Sequence, residues 1–415
     1  MQATNPIKFY AFLDRIDTTS KGQSRSPERL RTNFIFDTIP ADSFDNGILD
    51  GQEAMPLIRV MTTKRMFTEM VANKTSTWEP KEGDWYLIEI QSQEGGPRVW
   101  QAKTNHASGE FEEQVGSTRL TEISLLPDGT LKGKSSNARF MKIGKKLRKS
   151  YVVHGTKLDT NQNMPQSIKV LSKRRLSAIK ALDVGQASMV ALFQGNEVVA
   201  FYDVGWPLPF NKSSPPSPPD IDSFTLSEDC VVILSHWDYD HYSRARIDER
   251  LRNLMWVAPE GIVGPNTHKF IKSLGRNLYV ASPKRGFPLN LGCFCFEWAN
   301  GTDRNNSGLV VHLVIGKSKI LLTGDASYDH IAAHLKTDLT ALTIPHHASE
   351  TGHFIASIPP PLKSTEGKAV ICAGHNNRYG HPSSTVLTDH ETKKWNVEIT
   401  GDNGTGKRGS RFLYP

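Results

Sequence analysis

Residues 235–241 read SHWDYDH and directly follow an apolar run, VVIL. That run has the composition of a strand buried on both faces, so the polar residues after it are expected at the edge of a sheet. His236, Asp238 and Asp240 alternate as in an extended turn, and His241 adds a second direction. Neutral imidazoles and ionised carboxylates are the ligands of hydrolytic divalent-metal sites. The stretch therefore predicts a metal centre that could hold two ions.

Other apolar runs of strand length also end in histidine or aspartate. They are LVVHLVIGKSKILLTGD at 309–325, LTALTIPHH at 339–347 and KAVICAGH at 368–375. Several strand ends of this kind can converge at one edge of a sheet. A hairpin through QGNE is predicted within 179–206, and the Pro- and Ser-rich stretch at 207–223 predicts a surface loop.

Together these motifs resemble the metallo-β-lactamase superfamily, whose hallmark is HxHxDH after an apolar strand. Asp238 stands at the middle histidine, and HxDxDH with LDVGQ upstream is similar to the hydrolase domain of ComEC-type competence proteins. The resemblance covers roughly 178–415 and implies an α/β fold, the αββα sandwich of that superfamily. The motifs in the family's order are LDVGQASMV with FYDVG, ILSHWDYDH, NNSGLVVHLVIGKSKILLTGD, IPHHAS and GHNNRYGHP.

The resemblance also implies the residues of the centre. Two divalent ions would be held by His236, Asp238, Asp240, His241, Asp325 and His346. Asp325 would bridge the ions, and His347 is the alternative to His346 or supports the ligands from behind. Asp203 would orient the metal-binding loop, as groups behind metal ligands commonly do.

Catalytic and substrate-binding roles follow from the same resemblance. Asp240 is a catalytic candidate as well as a ligand, and His381 would be a late ligand or a proton donor. The substrate would be contacted by Asn377, Arg378 and Tyr379.

One departure from the family bears on the metal. Between His241 and Asp325 the only histidines are His268 and His312, and neither has the context of the family's remaining histidine ligand. One metal position is therefore expected to be oxygen-rich, which favours Mn²⁺ or Mg²⁺ at least as much as Zn²⁺.

Residues 1–135 are expected to form a smaller, mostly β domain of unknown function. EGDWYLIEIQ, SQEGGP and RVWQAK at 82–103 predict a β-hairpin, and a second hairpin through PDG is predicted within 117–134. Residues 136–176 are interpreted as a basic linker before the hydrolase domain at 177–415.

The net charge is +7, and between Leu131 and Lys180 fourteen Lys or Arg stand against one acid, Asp159. Such a segment either binds a polyanion by releasing its counterions or is a solvated linker. The substrate-binding candidates within it are Lys145, Lys146, Arg148 and Lys149.

These observations predict a metal-dependent hydrolase, foremost a phosphodiesterase or nuclease that acts on DNA through a metal-bound hydroxide. A hydrolase of a small phosphodiester or lactone is the first alternative, and a nucleic-acid-binding module with little or no catalysis is the second. No apolar run reaches the roughly 18–20 residues that span a bilayer, so we expect a cytoplasmic protein without a membrane partner. We expect a bacterial setting, and a protein partner of the N-terminal domain is left open.

Overall fold

The structure is a computed structural model of the chain. It describes residues 6–18, 31–49, 55–72, 74, 77–92, 95–105, 110–127, 137–155, 165–211, 220–283, 288–362, 366–374, 380–401 and 408–414. By contact the chain divides into a first unit, Met1–Val153 with Gly261–Ser273, and a second unit, His154–Glu260 with Leu274–Pro415.

The described residues form the following strands and helices. Up to residue 153 they are β1 (Ile7–Thr18), β2 (Arg31–Pro40), α1 (Ala41–Asp45), β3 (Leu57–Thr63), α2 (Lys64–Met70), β4 (Val71–Ala72), β5 (Trp85–Gln91), β6 (Arg98–Thr104), β7 (Phe111–Leu125), α3 (Ala138–Ser150) and β8 (Val152–Val153). From residue 154 they are α4 (Gln166–Val170), β9 (Ala178–Ala181), β10 (Met189–Gln194), β11 (Glu197–Val204), β12 (Thr225–Ile233), α5 (Tyr239–Tyr242), α6 (Arg244–Ile247), α7 (Glu249–Arg252), β13 (Met255–Pro259), β14 (Gly261–Ile262), α8 (Pro265–Leu274), β15 (Leu278–Ala281), β16 (Leu289–Leu291), β17 (Phe294–Trp298), β18 (Leu309–Ile315), β19 (Ser318–Leu322), β20 (Ala341–Thr343), β21 (Gly367–Ile371), α9 (Ser384–Thr392), β22 (Trp395–Ile399) and β23 (Arg411–Tyr414).

The first unit is built on one sheet with the strand order β4-β7-β5-β1-β2-β3-β6, which closes on itself because β6 also pairs with β7. β5 and β6 are strands, as predicted, but the predicted hairpin between them is wrong. β5 pairs with β1 and β7, and β6 pairs with β3 and β7. β7 has 15 residues and is long enough to pair with both β5 and β6. The turn of the second predicted hairpin lies mostly outside the described residues.

The segment predicted as a basic linker contains a helix, α3. Phe140, Ile143 and Leu147 recur at helical spacing, and this apolar stripe packs with Trp85 and Tyr151 in one cluster of the first unit. The stripe accounts for the difference, since the many basic residues around it obscure the pattern. Residues 156–164 of that segment lie outside the described residues.

The first unit also contains a piece from much later in the chain. Residues Gly261–Ser273 belong to it by contact. Asp37, which is 1% exposed, accepts hydrogen bonds from the backbone amides of Asn266 and Thr267 at 3.0 and 3.2 Å, in the first turn of α8. A carboxylate there satisfies amides that have no partner inside the helix.

The second unit contains two seven-stranded sheets, ordered β15-β13-β12-β11-β10-β9-β23 and β16-β17-β18-β19-β20-β21-β22. One apolar cluster contains side chains of both sheets, among them Ile233 from the first and Leu322 from the second, so the sheets pack face to face. Val386 of α9 packs with Val310 and Leu321 in a separate cluster. The predicted pair of sheets is present.

One local prediction in the second unit is confirmed. β10 and β11 form the predicted hairpin, with Gln194 opposite Glu197 across the turn. All four cysteines are free thiols. Within the described residues, no helix has both the length and the apolar character needed to cross a membrane.

Candidate metal centre

The candidate residues follow strand ends of the two sheets of the second unit. Asp203 lies at the end of β11 and His236 just beyond the neighbouring parallel strand β12. Asp325 follows β19, and His347 follows β20, which is parallel to β19. The carboxyl ends of parallel neighbours lie at one edge of a sheet, so residues distant in sequence meet there.

Two backbone features allow the turns to approach closely. Asp203 is fully buried and adopts a positive φ of 59°, in the left-handed region that aspartate tolerates better than most residues. At Gly324, φ is +57° and a Cβ atom would lie 2.6 Å from Cβ of Ser235. The TGD turn can therefore reach the SHWDYDH turn only with glycine at position 324.

Three buried histidines direct Nε2 toward the cluster, and the other ring nitrogen of each, Nδ1, has a polar neighbour. Nδ1 of His241 is 2.8 Å from Oδ2 of Asp203, and Nδ1 of His347 is 2.5 Å from the carbonyl oxygen of Cys372. Nδ1 of His236 is 3.0 Å from Oγ of Ser235. A proton on Nδ1 leaves the Nε2 lone pair of each ring available to a metal ion.

The Nε2 atoms meet carboxylates in two overlapping groups that could hold metal ions: His236, His241 and Asp325, and Asp240, His241 and His347. In the first group, Asp325 lies 3.1 Å from Nε2 of His241 and 3.8 Å from Nε2 of His236. In the second, Oδ2 of Asp240 lies 3.1 Å from Nε2 of His347. All five residues are at most 4% exposed.

The buried carboxylates of this cluster raise the pKa values of its histidines and so favour positive charge there. Burial alone would lower the pKa of His241, but Asp325 and Asp203 raise it well above the ordinary value. Burial would likewise lower the pKa of His347, yet Asp240 and Asp325 raise it. The pKa of Asp325 would be raised by burial, but His241 and His346 hold it well below the ordinary value. A divalent ion would supply the same positive charge to the cluster.

The donor set fits divalent metal ions. Nε2 of His236, Nε2 of His241 and Oδ2 of Asp325 are buried and have no hydrogen-bond partner within the described part of the chain. Buried polar atoms are normally paired, and these three point into one cluster. The sequence predicts His236, His241, Asp325 and Asp240 as ligands, and the structure brings all four together.

The two other predicted ligands, His346 and Asp238, belong to neither of these groups. His347, not His346, belongs to a ligand group; His346 is half-buried, and its Nε2 lies 3.8 Å from Oδ2 of Asp325. Asp238 belongs to neither group. Its Oδ2 is 3.4 Å from Nε2 of His236, but its Oδ1 is 2.5 Å from Nη2 of Arg304.

The outer candidates are placed as follows. The ring centroids of His381 and His346 are 6.1 Å apart. Asn377, Arg378 and Tyr379 lie outside the described residues. Lys145, Lys146, Arg148 and Lys149 are all exposed on α3 of the first unit.

Sequence reasoning missed Ser235 and Arg304. Oγ of Ser235 donates to Oδ2 of Asp203 at 3.0 Å and also lies 3.2 Å from Nδ1 of His241. Ser235 is the first residue of SHWDYDH, but a serine hydroxyl is not one of the imidazole or carboxylate ligands that this stretch indicates. For Arg304, the sequence feature that could have indicated it is Asp238, because a buried carboxylate in place of an imidazole requires a positively charged partner.

The paired sheets with a His/Asp cluster at their strand ends resemble a metallo-β-lactamase-type domain, as the sequence predicts. More narrowly, the chain is 30% identical over 210 residues to ComE operon protein 3 of Bacillus subtilis (strain 168), which confirms the resemblance to ComEC-type proteins. That match spans 45% of this chain and 26% of the relative, so the chain covers about a quarter of its length. No family model matches the chain.

Two solved structures are similar to part of this chain, with low TM-scores. The metallo-β-lactamase fold protein YhfI of Bacillus subtilis is 14% identical, with a TM-score of 0.36 over 57% of this chain and 99% of YhfI. Zn²⁺-bound PqqB from Methylobacterium extorquens is 12% identical, with a TM-score of 0.34 over 54% of this chain and 98% of PqqB. At such scores neither likeness bears on the activity of this chain.

Proposed function

We propose that the second unit is a metal-dependent hydrolase and that its substrate is a phosphodiester bond of nucleic acid, foremost DNA. The observation that carries the proposal is the shared orientation of His236, His241 and His347, whose Nε2 atoms all face buried carboxylates. Structural histidines have no need of a common direction, whereas metal ligands do.

The chain's own residues would divide the task. Asp203, Ser235 and the carbonyl oxygen of Cys372 hold the three rings in position. Asp325, close to both His236 and His241, would bridge two positions, and Asp240 with His347 would complete the second. When bound, divalent ions would supply Lewis acidity toward a phosphoryl oxygen and a water molecule at this cluster. His346, 16% exposed at the side chain, marks the open side of the cluster, and His381 beside it is the candidate proton donor.

The cationic surface of α3 supports a polyanionic substrate. The helix carries six basic residues and no acidic one, and the basic residues are exposed: Arg139, Lys142, Lys145, Lys146, Arg148 and Lys149. Because phosphate contacts release condensed counterions, such a surface gains affinity for nucleic acid at low salt. The resemblance to ComEC-type hydrolase domains supports the same substrate.

The test is turnover of labelled single- and double-stranded DNA with Mn²⁺, Mg²⁺ or Zn²⁺ added in turn. Asp240→Asn keeps the shape of the side chain but removes a charged ligand, so cleavage should fall by at least about a hundredfold. Asp338→Asn, at an aspartate whose side chain is 62% exposed, is the matched control. Metal-dependent cleavage that survives in Asp240→Asn would refute the assignment of the centre.

A small phosphodiester or lactone is the second candidate substrate, and the burial of the cluster favours it, since Asp240 and His241 are 0% exposed. Salt separates the two candidates. Binding of nucleic acid through many Lys and Arg contacts weakens steeply as salt rises, whereas turnover of a small phosphodiester with one charge, or of a neutral lactone, should depend on salt only slightly. Hydrolysis of a small ester at all salt concentrations, without cleavage of DNA, would decide for the second candidate.

A further inference from the structure

The two oxygens of Asp238 have different environments. Oδ1 lies 2.5 Å from Nη2 of Arg304, and Oδ2 lies 3.4 Å from Nε2 of His236. Asp238 is 1% exposed, and the side chain of Arg304 is 14% exposed. At this distance the carboxylate and the guanidinium form an ion pair, which holds Oδ1 beside a fixed positive charge. One oxygen is thus held by a fixed cation while the other faces a candidate metal ligand.

Arg304 is held in place by its own surroundings. Its Nη2 also donates to the carbonyl oxygen of Trp237 at 3.0 Å. The neighbouring Asn306 accepts a hydrogen bond from the amide of Ser327 at 2.8 Å, and the amide of Gly301 donates to the carbonyl of Asn306 at 2.7 Å. The loop that carries the guanidinium is therefore tied to the segment just after Asp325, and the side chain is fixed before any ligand arrives.

We infer that Arg304 is a positioning residue that restricts Asp238 to one metal-binding oxygen, Oδ2, and offsets the charge that this carboxylate adds to the centre. The inference rests on the proposed metal centre. A carboxylate can bind an ion through one oxygen or both, and an ion beside His236 would otherwise attract both oxygens. With Oδ1 occupied by Arg304, the position beside His236 keeps one ligand fewer and a lower affinity for a hard ion.

The experiment is a double-mutant cycle in metal binding by the full chain, with Arg304→Met and Asp238→Asn alone and together. Mn²⁺ affinity is measured by calorimetry, and the absorption of bound Co²⁺ reports coordination number. Arg304→Met should bind Mn²⁺ at least about tenfold more tightly, because a positive charge is removed beside a divalent ion. Its Co²⁺ absorption should weaken as coordination increases. In the Asp238→Asn background, Arg304→Met should leave the Co²⁺ absorption unchanged and should raise Mn²⁺ affinity by a clearly smaller factor, because only the direct charge effect of Arg304 remains.

Other outcomes overturn the inference. Unchanged or weaker Mn²⁺ binding in Arg304→Met, or an equal change with and without Asp238, would show that Arg304 does not act through Asp238. Arg304→Lys keeps the charge and should stay near wild-type affinity, which tests the inference if the Met variant folds poorly. Arg250→Met, which removes a guanidinium 2.6 Å from Asp248, is the matched control. Failure of the wild-type chain to bind any ion would refute the proposed metal centre itself.

Discussion

Replacing Asp203 by asparagine keeps the size of the side chain and tolerates the positive φ of 59°, but it changes what His241 can do. Oδ1 of Asp203 accepts from the amide of Ser235 at 2.8 Å, and Oδ2 lies 2.8 Å from Nδ1 of His241. With the amide oxygen facing Ser235, the NH₂ group faces Nδ1. His241 must then accept there and carry its proton on Nε2, the atom that would bind metal.

The magnitude follows from the hydrogen bond that metal binding must break. Returning His241 of the variant to the ligand tautomer sets two donors against each other, which leaves a buried donor unsatisfied at a cost of about 1–3 kcal/mol. At about 1.4 kcal/mol per factor of ten, the expected loss of metal affinity is roughly 5- to 140-fold. Substitutions of groups that orient metal ligands lose about 10- to 100-fold, in agreement with this value.

The assay is calorimetric titration of the metal-free chain with Mn²⁺ and with Zn²⁺, alongside thermal unfolding. The matched control is Asp183→Asn, because Asp183 is a buried carboxylate that pairs with Arg408, with Oδ2 2.5 Å from Nε. An Asp203→Asn variant that folds and binds metal with wild-type affinity would show that His241 does not depend on Asp203 for its tautomer. Equal losses in both variants would also refute the reasoning.

Three further predictions concern pH, salt and backbone. Burial lowers the pKa of His390 to about 4 from 6.5, and the hydrogen bonds of its ring to Tyr328 and to the carbonyl of Val386 suit the neutral form. Because the unfolded chain therefore binds the proton more readily, the free energy of unfolding should fall by up to about 3 kcal/mol as pH drops from 6.5 to 4. Denaturation at several pH values measures this change. Neutralising the exposed cations of α3 should weaken DNA binding and flatten its salt slope by about 0.9 for each phosphate that the variant no longer neutralises, as titrations at several salt concentrations would show. Gly324→Ala should cost about 1–3 kcal/mol of stability and weaken metal binding, since its Cβ would meet Ser235; thermal unfolding and calorimetry measure both. The α3 cations to be neutralised are Lys145, Lys146, Arg148 and Lys149.

Each of these predictions has a control. His390→Gln should flatten the acid dependence, and His334→Gln, at a 63% exposed side chain, should not. For α3, neutralising Lys64 and Arg65 of α2 should leave the salt slope unchanged, and equal slopes in both variants would refute a specific surface. Gly316→Ala has a similar φ of +59° with nothing within 4 Å of its Cβ. It should therefore be milder than Gly324→Ala.

The sequence was sufficient where chemistry and strand pattern coincide. His236, Asp240, His241 and Asp325 each follow a strongly apolar run, so residue type and position indicated the same edge of a sheet. The choice between His346 and His347 was harder, because both stand in one turn and both have positive φ. In the structure His347 reaches the carbonyl oxygen of Cys372, and no local sequence pattern reports such a partner.

Pairing between distant segments was the least predictable feature. The alternation in β5 and β6 reports half-buried strands but says nothing about which strand lies beside them, and the long β7 took the place of the expected hairpin partner. Arg304 was invisible for the same reason, since its ion pair with Asp238 joins residues 66 positions apart in the sequence. A local pattern cannot encode such a pairing.

The capped helix α8 has a practical consequence for anyone who wishes to study the two units separately. Its first-turn amides bond to Asp37, although most of the chain around α8 in sequence belongs to the other unit. A single cut near residue 154 would strip these amides of Asp37, their acceptor. A fragment that contains only the second unit would therefore require two edits, the truncation and the replacement of 261–273 by a short linker.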